Sequence, residues 1–262
     1  DNIAPIVNEV YANPATFHSL EVFAAIILFS FQIYADFYGY STIAIGAARL
    51  LGIHLIDNFK TPYLATSIND FWKRWHISLT SWFREYVYIP LGGSRSGNAK
   101  WVFNILVIFF ISGLWHGASW TFVVWGLLHG AFYLLERLFN YLFKVKIKEG
   151  FSALNLFLGI KTFVLVSFIW IFFRAESFEK AKDIIKAFLK NWNAPFNQIQ
   201  LNYALLFVLI LIISDVLLYK SRIDHWLHVK KPVLRWSVYA LLLFSLMGMS
   251  GMDNLPFIYF QF

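Results

Sequence analysis

The sequence predicts an all-α, polytopic membrane protein: a bundle of transmembrane helices, with re-entrant and interfacial helices, around a buried tunnel. Three observations predict it. Hydrophobic residues make up 59% of the 262-residue chain and charged residues 14%, about half the charged share of a soluble domain. Apolar runs of membrane-crossing length alternate with short loops that hold many of the Lys and Arg. One uncharged run ends at a histidine, His116, set between glycines. Ionisable side chains inside a bilayer are costly and mark functional positions.

Residues 1–19 are mixed, carry Pro5 and Pro14, and read as a loop. Residues 21–48 form a first span with Asp36 inside it, and residues 50–66 a connection with Gly52 and Pro62. From 67 to 89, Ile68, Phe71, Trp72, Trp75, Leu79, Trp82, Phe83 and Tyr86 recur at three- and four-residue steps, one face of a helix. Lys73, Arg74, Ser78, Ser81, Arg84 and Glu85 fall opposite. Ser67 and Asp70 have the spacing of a capping box, and Pro90 with Gly92 and Gly93 ends the helix. A basic amphipathic helix this rich in Trp suits the membrane interface. His76 projects at the flank of its apolar stripe.

Residues 101–115 carry no charge. About 15 residues at roughly 1.5 Å each give about 22 Å, less than a hydrocarbon core of roughly 30 Å. This helix is therefore expected to stop within the membrane, with Gly113 and Gly117 bracketing the break. Irregular backbone at that depth is tolerated only inside protein or along a wet cavity, which points to a tunnel at His116.

Residues 120–143 (with His129 and Glu136), 151–173 (with Lys161), 201–218 and 233–249 read as further spans, and 144–150 and 219–232 as basic loops. Between 174 and 193, Phe178, Ala181, Ile184, Ile185 and Phe188 alternate at helical spacing with Lys180, Lys182, Asp183, Lys186 and Lys190. That pattern is an amphipathic surface helix over about 175–191. No repeat or soluble segment interrupts the chain, which reads as one membrane-embedded domain over 1–262.

Residues 1–48 contain no Lys or Arg, whereas loops 84–100, 137–148 and 220–235 are basic. The positive-inside rule then puts those loops in the cytoplasm and both ends of the chain outside. Segment 174–193 is the exception, with its lysines on the outer side. The net charge of +7 is read as topology signal and contact with anionic lipid of the bilayer, not as a nucleic-acid surface. Cysteine is absent, which excludes disulfides, an acyl-cysteine intermediate and cysteine-ligated metals. His225 and His228 stand three apart without a third ligand, so no metal site is expected.

Three motifs, in order, carry a family resemblance: DFYGYS (36–41), NFKTPYLATSINDFWKRWHISLTSWFREYVYIPLGGSR (58–95) and GLWHGASWTFVVWGLLHG (113–130). With the closing FIYFQF (257–262), they resemble the membrane-bound O-acyltransferase (MBOAT) family, in its alginate O-acetyltransferase-like branch. The D-alanine-exporting branch is similar around FWKRWH and WHG, and less so at YIPLGGSR and the C-terminus. The resemblance implies an O-acyltransferase of the bacterial inner membrane and a C-terminal portion of a longer chain, since family members carry further N-terminal helices. It implies transfer of an acetyl group from a cytoplasmic thioester, acetyl-CoA or a similar donor, with no bound cofactor. The acceptor implied is a hydroxyl of an exported polysaccharide or of a partner protein, with periplasmic or extracellular acetyltransferases as partners.

The resemblance also implies that His116 is catalytic and that His76 is the second signature polar residue. A buried neutral imidazole is a competent general base near pH 7. His76 can position the donor, polarise its carbonyl or orient the acceptor; the sequence does not choose. Trp72, Trp75, Trp115 and Trp120 are candidates for the tunnel lining, with interface anchoring the other reading of Trp115 and Trp120. Arg84, with Arg95, can meet the phosphates of a CoA-type donor, although topogenic charge explains both equally. Asp36 suits a buried hydrogen-bond partner better than a catalyst, and His129 a packing histidine bonded to a backbone carbonyl. A solute transporter or channel also fits an intramembrane histidine beside a broken helix, but the sequence holds one such break rather than a matched pair. A non-catalytic scaffold of a secretion complex is the third class.

Overall fold

A computed structural model of the chain describes residues 3–95, 97–143, 150, 152–197, 202–219 and 221–249. Among these residues the secondary structure is helical, with no strand. Among the described residues, four helices are long and apolar enough to cross a membrane: α2 (Ser19–Leu50), α5 (Asn98–His116), α6 (Trp120–Phe143) and α7 (Ala153–Arg174). The all-α polytopic bundle stands as expected. The closing FIYFQF, most of the 144–150 loop and Ser96 lie outside the described residues.

The chain opens with a helix, not a loop: α1 (Ala4–Ala12) is followed by a 3₁₀ turn at Pro14–Thr16. Each begins with a proline in its first turn, where the missing N–H costs nothing and the fixed φ favours helix. Helix α2 starts at an unusual cap. The His18 side chain accepts a hydrogen bond from the Leu20 amide, while the Glu21 carboxylate accepts from the His18 amide at 3.0 Å.

The expected single interfacial helix over 67–89 is broken. It consists of α3 (Ile68–Trp72), α4 (Ile77–Phe83) and a π-helical turn at Arg84–Tyr88. The apolar face of its first half does not lie open to lipid: Ile68, Phe71 and Trp75 are almost fully buried in the core. Arg74, placed on the polar side by the helical wheel, is also buried. It forms an ion pair with Asp70 at 2.7 Å and donates to the Tyr219 hydroxyl at 3.2 Å. A buried guanidinium needs such partners to offset its desolvation.

Helix α5 is longer than the uncharged run. Its 19 residues at 1.5 Å each reach about 28 Å, close to the hydrocarbon thickness, so a shortfall in length does not locate His116. Gly113 lies inside this helix rather than at its break. A Cβ there would fall 2.4 Å from the Phe122 carbonyl oxygen, and one on Gly126 would fall 2.1 Å from that of Phe109. These two glycines let α5 and α6 pack backbone against backbone, as small residues do in membrane bundles.

The amphipathic segment forms α8 (Phe178–Lys190), with Ala181, Ile184 and Ala187 buried, and Ser19 donates to the Ala187 carbonyl. The 16-residue α9 (Asn202–Leu217) and α11 (Pro232–Met249) cover the last two apolar runs. The loop expected between them holds a short helix, α10 (Ile223–His228). This end is tied to the rest by polar contacts: Tyr34 donates to Asp215 at 3.1 Å, and Arg222 pairs with Asp57 at 2.7 Å. The core lies between α2, α3, α6 and α7, where Phe29, Tyr34, Phe71, Trp75, Trp125, Trp170 and Phe173 are buried.

Candidate active site

His116 is the last residue of α5 and Gly117 its C-cap, with φ +151°. That conformation suits glycine rather than a residue with a Cβ, so the helix stops there and the chain turns into α6. The His116 ring sits among four aromatic rings. Phe173 and Trp115 have centroids at 4.9 Å and Trp125 at 5.1 Å, all near perpendicular, and Phe122 lies at 6.0 Å. These rings come from α5, α6 and α7, so the cage exists only when the three helices are packed.

His76 occupies the break between α3 and α4. Its backbone is left-handed, with φ +45° and ψ +54°, a conformation that costs a non-glycine residue about 1–2 kcal/mol. Neighbouring hydrogen bonds hold it there. The Lys60 amide donates to the Arg74 carbonyl and the Ile77 amide to the Asn58 carbonyl, each at 3.0 Å. The Asn58 side-chain oxygen accepts from the Ser78 amide at 3.1 Å and from the Ser78 hydroxyl at 2.6 Å. Ser78 Oγ lies 3.4 Å from His76 Nδ1. Burial pushes the His76 ring down to about 4, so it is neutral at physiological pH.

The structure brings the two histidines to the same side chain. The Trp115 ring lies 4.9 Å from that of His116 and 6.2 Å from that of His76, and Phe37 of α2 stacks edge-on against His76 at 4.7 Å. Trp115 itself is 55% exposed. Asp36 precedes Phe37 and is half-buried on α2.

The remaining sequence candidates lie elsewhere. Trp75 is a core residue packed on Tyr34, Phe59, Phe71 and Trp170. Trp72 stands behind the His116 cage, edge-on to Trp125 at 5.8 Å. Its indole N–H donates to His129 Nδ1 at 3.3 Å, so the partner of the fully buried His129 is an indole, not the expected carbonyl. Trp120 is 75% exposed at the head of α6, and Arg84 and Arg95 are exposed. Among the described residues no group of three or more His, Asp or Glu side chains could hold a metal.

Sequence reasoning missed Trp125, Phe173, Asn58 and Ser78. Trp125 stands inside the 113–130 motif and Phe173 outside all three, but nothing in their spacing signals a contact with His116, which they meet only through packing. Asn58 and Ser78 stood inside a quoted motif, but nothing in their spacing paired them.

Comparison with known proteins adds the family. The model of the membrane-bound O-acyltransferase (MBOAT) family matches residues 6–178. Over 186 residues the chain is 37% identical to the peptidoglycan O-acetyltransferase of Helicobacter pylori, covering 71% of this chain and 35% of that protein. It is 30% identical over 307 aligned positions to the probable alginate O-acetylase AlgI of Azotobacter vinelandii, covering all of this chain and 58% of that one. The teichoic acid D-alanyltransferase of Streptococcus thermophilus matches 43% of the chain at 30% identity, and 29% of that protein is covered. The chain thus spans between a third and three-fifths of the length of the O-acetyltransferase relatives. With the family model covering well over half of it, and all-α helices of membrane-crossing length beneath the match, the chain belongs to the membrane-bound O-acyltransferase family, in its alginate O-acetylase-like branch.

Proposed function

We propose that the full-length protein moves an acetyl group from a cytoplasmic thioester, acetyl-CoA or a close equivalent, to a hydroxyl of an exported polysaccharide or of a partner acetyltransferase. It works in the bacterial inner membrane, with His116 as general base and His76 as the second polar group of the site. The observation that supports this reading most is the ring of Trp115, Phe122, Trp125 and Phe173 around His116, with Trp115 shared by His76. An apolar cage limits the access of water to the ring. A thioester is already activated; deprotonation of the alcohol and protection from hydrolysis are what it lacks.

In the proposed step a ring nitrogen of His116 takes the hydroxyl proton as the oxygen attacks the thioester carbonyl. The C–S bond then breaks, and the departing thiolate recovers the proton from the imidazolium. That the relatives are a peptidoglycan O-acetyltransferase, a probable alginate O-acetylase and a teichoic acid D-alanyltransferase supports an acyl group as cargo and a polysaccharide or cell-wall polymer as acceptor.

The test is the O-acetyl content of exported glycan in cells carrying the full-length protein with His116→Ala. Loss of acetylation at normal membrane levels is the expected outcome. Near-normal acetylation at normal levels would return His116 to a packing role.

A further inference from the structure

The clamp around His76 fixes more than its backbone. Ser78 Oγ has one proton. The oxygen it approaches at 2.6 Å, Asn58 Oδ1, also receives the Ser78 backbone N–H at 3.1 Å. A backbone amide can only donate, so that Asn58 atom is the carbonyl oxygen, and a carbonyl oxygen can only accept. The Ser78 hydroxyl proton is therefore committed to Asn58. Toward His76 Nδ1, 3.4 Å away, Ser78 Oγ has only lone pairs to offer. A weak hydrogen bond there requires the proton to sit on Nδ1. A neutral imidazole carries a single N–H, and burial keeps this ring neutral. Nε2 is then left with a bare lone pair.

We propose that Asn58 and Ser78 are positioning residues that hold His76 in the Nδ1–H tautomer, so that Nε2 receives a hydrogen bond from the hydroxyl of the acceptor. The lone pair decides between two of the roles open to His76. Polarising a thioester carbonyl needs an N–H donor at Nε2, and this tautomer has none. Orienting an alcohol needs an acceptor, and this tautomer supplies one. The left-handed backbone agrees with that assignment, because strain at one residue persists only where its surroundings over-determine it. Here Ile77 and Ser78 are both bonded to Asn58. The tautomer assignment stands on hydrogen-bond geometry together with the neutrality that burial imposes on the ring; the hydroxyl role rests on the acyl-transfer reading above.

The test has two arms on the purified full-length protein. In the first, histidine is ¹⁵N-labelled and the His76 resonances are identified by their loss in His76→Gln. Nε2 is expected to be the unprotonated, pyridine-type nitrogen, and Ser78→Ala to shift the population toward Nε2–H. A protonated Nε2 in the unsubstituted protein would overturn the proposal. In the second arm, transfer is measured with acetyl-CoA as donor and an alginate oligosaccharide or a peptidoglycan fragment as acceptor. Ser78→Ala should raise the apparent KM for the acceptor by roughly tenfold, the effect of one hydrogen bond, and leave that for acetyl-CoA unchanged. Ser78→Thr, which keeps the hydroxyl, should recover most of the loss, as a merely structural defect would not. A rise in donor KM with acceptor KM constant would reverse the role, and no change in either would remove it. No transfer by the unsubstituted protein would count against the acyl-transfer reading and the hydroxyl role together, while the first arm still decides the tautomer.

Discussion

The two histidines that share Trp115 differ in what frames them. His116 ends a transmembrane helix and is framed by rings from three helices. His76 sits in a break between two short helices and is framed by hydrogen bonds from residues 58–60 and its own turn. Aromatic packing sets where a ring lies and how dry it is. Hydrogen bonds select the nitrogen. A site built from both can present one imidazole as a base in an apolar enclosure and the other as a directed acceptor. The difference also sets how each part should fail: the cage through helix packing, the clamp through proton placement.

The largest expected effect comes from breaking the cage at its foundation. Gly126→Val pushes a branched side chain into the space where even a Cβ would lie 2.1 Å from the Phe109 carbonyl oxygen. The α5–α6 contact then has to open and the His116 cage with it. Several kcal/mol of lost stability are expected, in the range of severe overpacking. Thermal unfolding of the solubilised full-length protein reads it; a melting temperature within a few degrees of the parent would mean that the helices are not packed as described.

Not all of this contrast was legible in the sequence. The spans at 120–143 and 151–173 follow directly from apolar runs, and the structure places α6 and α7 there. His116 is legible as a histidine at the end of an uncharged run, although α5, at 19 residues, is too long for a shortfall in length to place it. What the sequence could not display was the break at His76. The helical wheel counts Trp72, Trp75, Leu79 and Phe83 as one continuous stripe, and a pattern of side chains cannot reveal a left-handed backbone residue within it. Arg74 misled for a related reason: its burial depends on Asp70 and on Tyr219, 145 residues away. Pro5 and Pro14 mark a loop by composition, whereas in first turns they start helices.

A smaller effect sharpens the clamp side of the comparison. The His76 ring falls from an ordinary value of 6.5 to about 4 on folding, through burial. Between those values the unfolded chain binds a proton that the folded one does not, so stability rises with pH across that window and is lost as pH falls from about 6.5 toward 4. His76→Gln has no such group and should flatten part of the dependence. Melting temperature against pH for the two proteins measures it. Parallel curves would mean that His76 is not held neutral by burial.

The most direct measurement for the account as a whole is the transfer rate of the full-length protein carrying His116→Gln, with acetyl-CoA as donor and an oligosaccharide acceptor. Glutamine fills much of the cage and can still hydrogen-bond, but it has no basic nitrogen to take the hydroxyl proton. If His116 is the base, kcat falls by roughly 10²–10⁴ while the melting temperature stays close to that of the parent. A kcat within about threefold of the parent would contradict the assignment of His116 as the base.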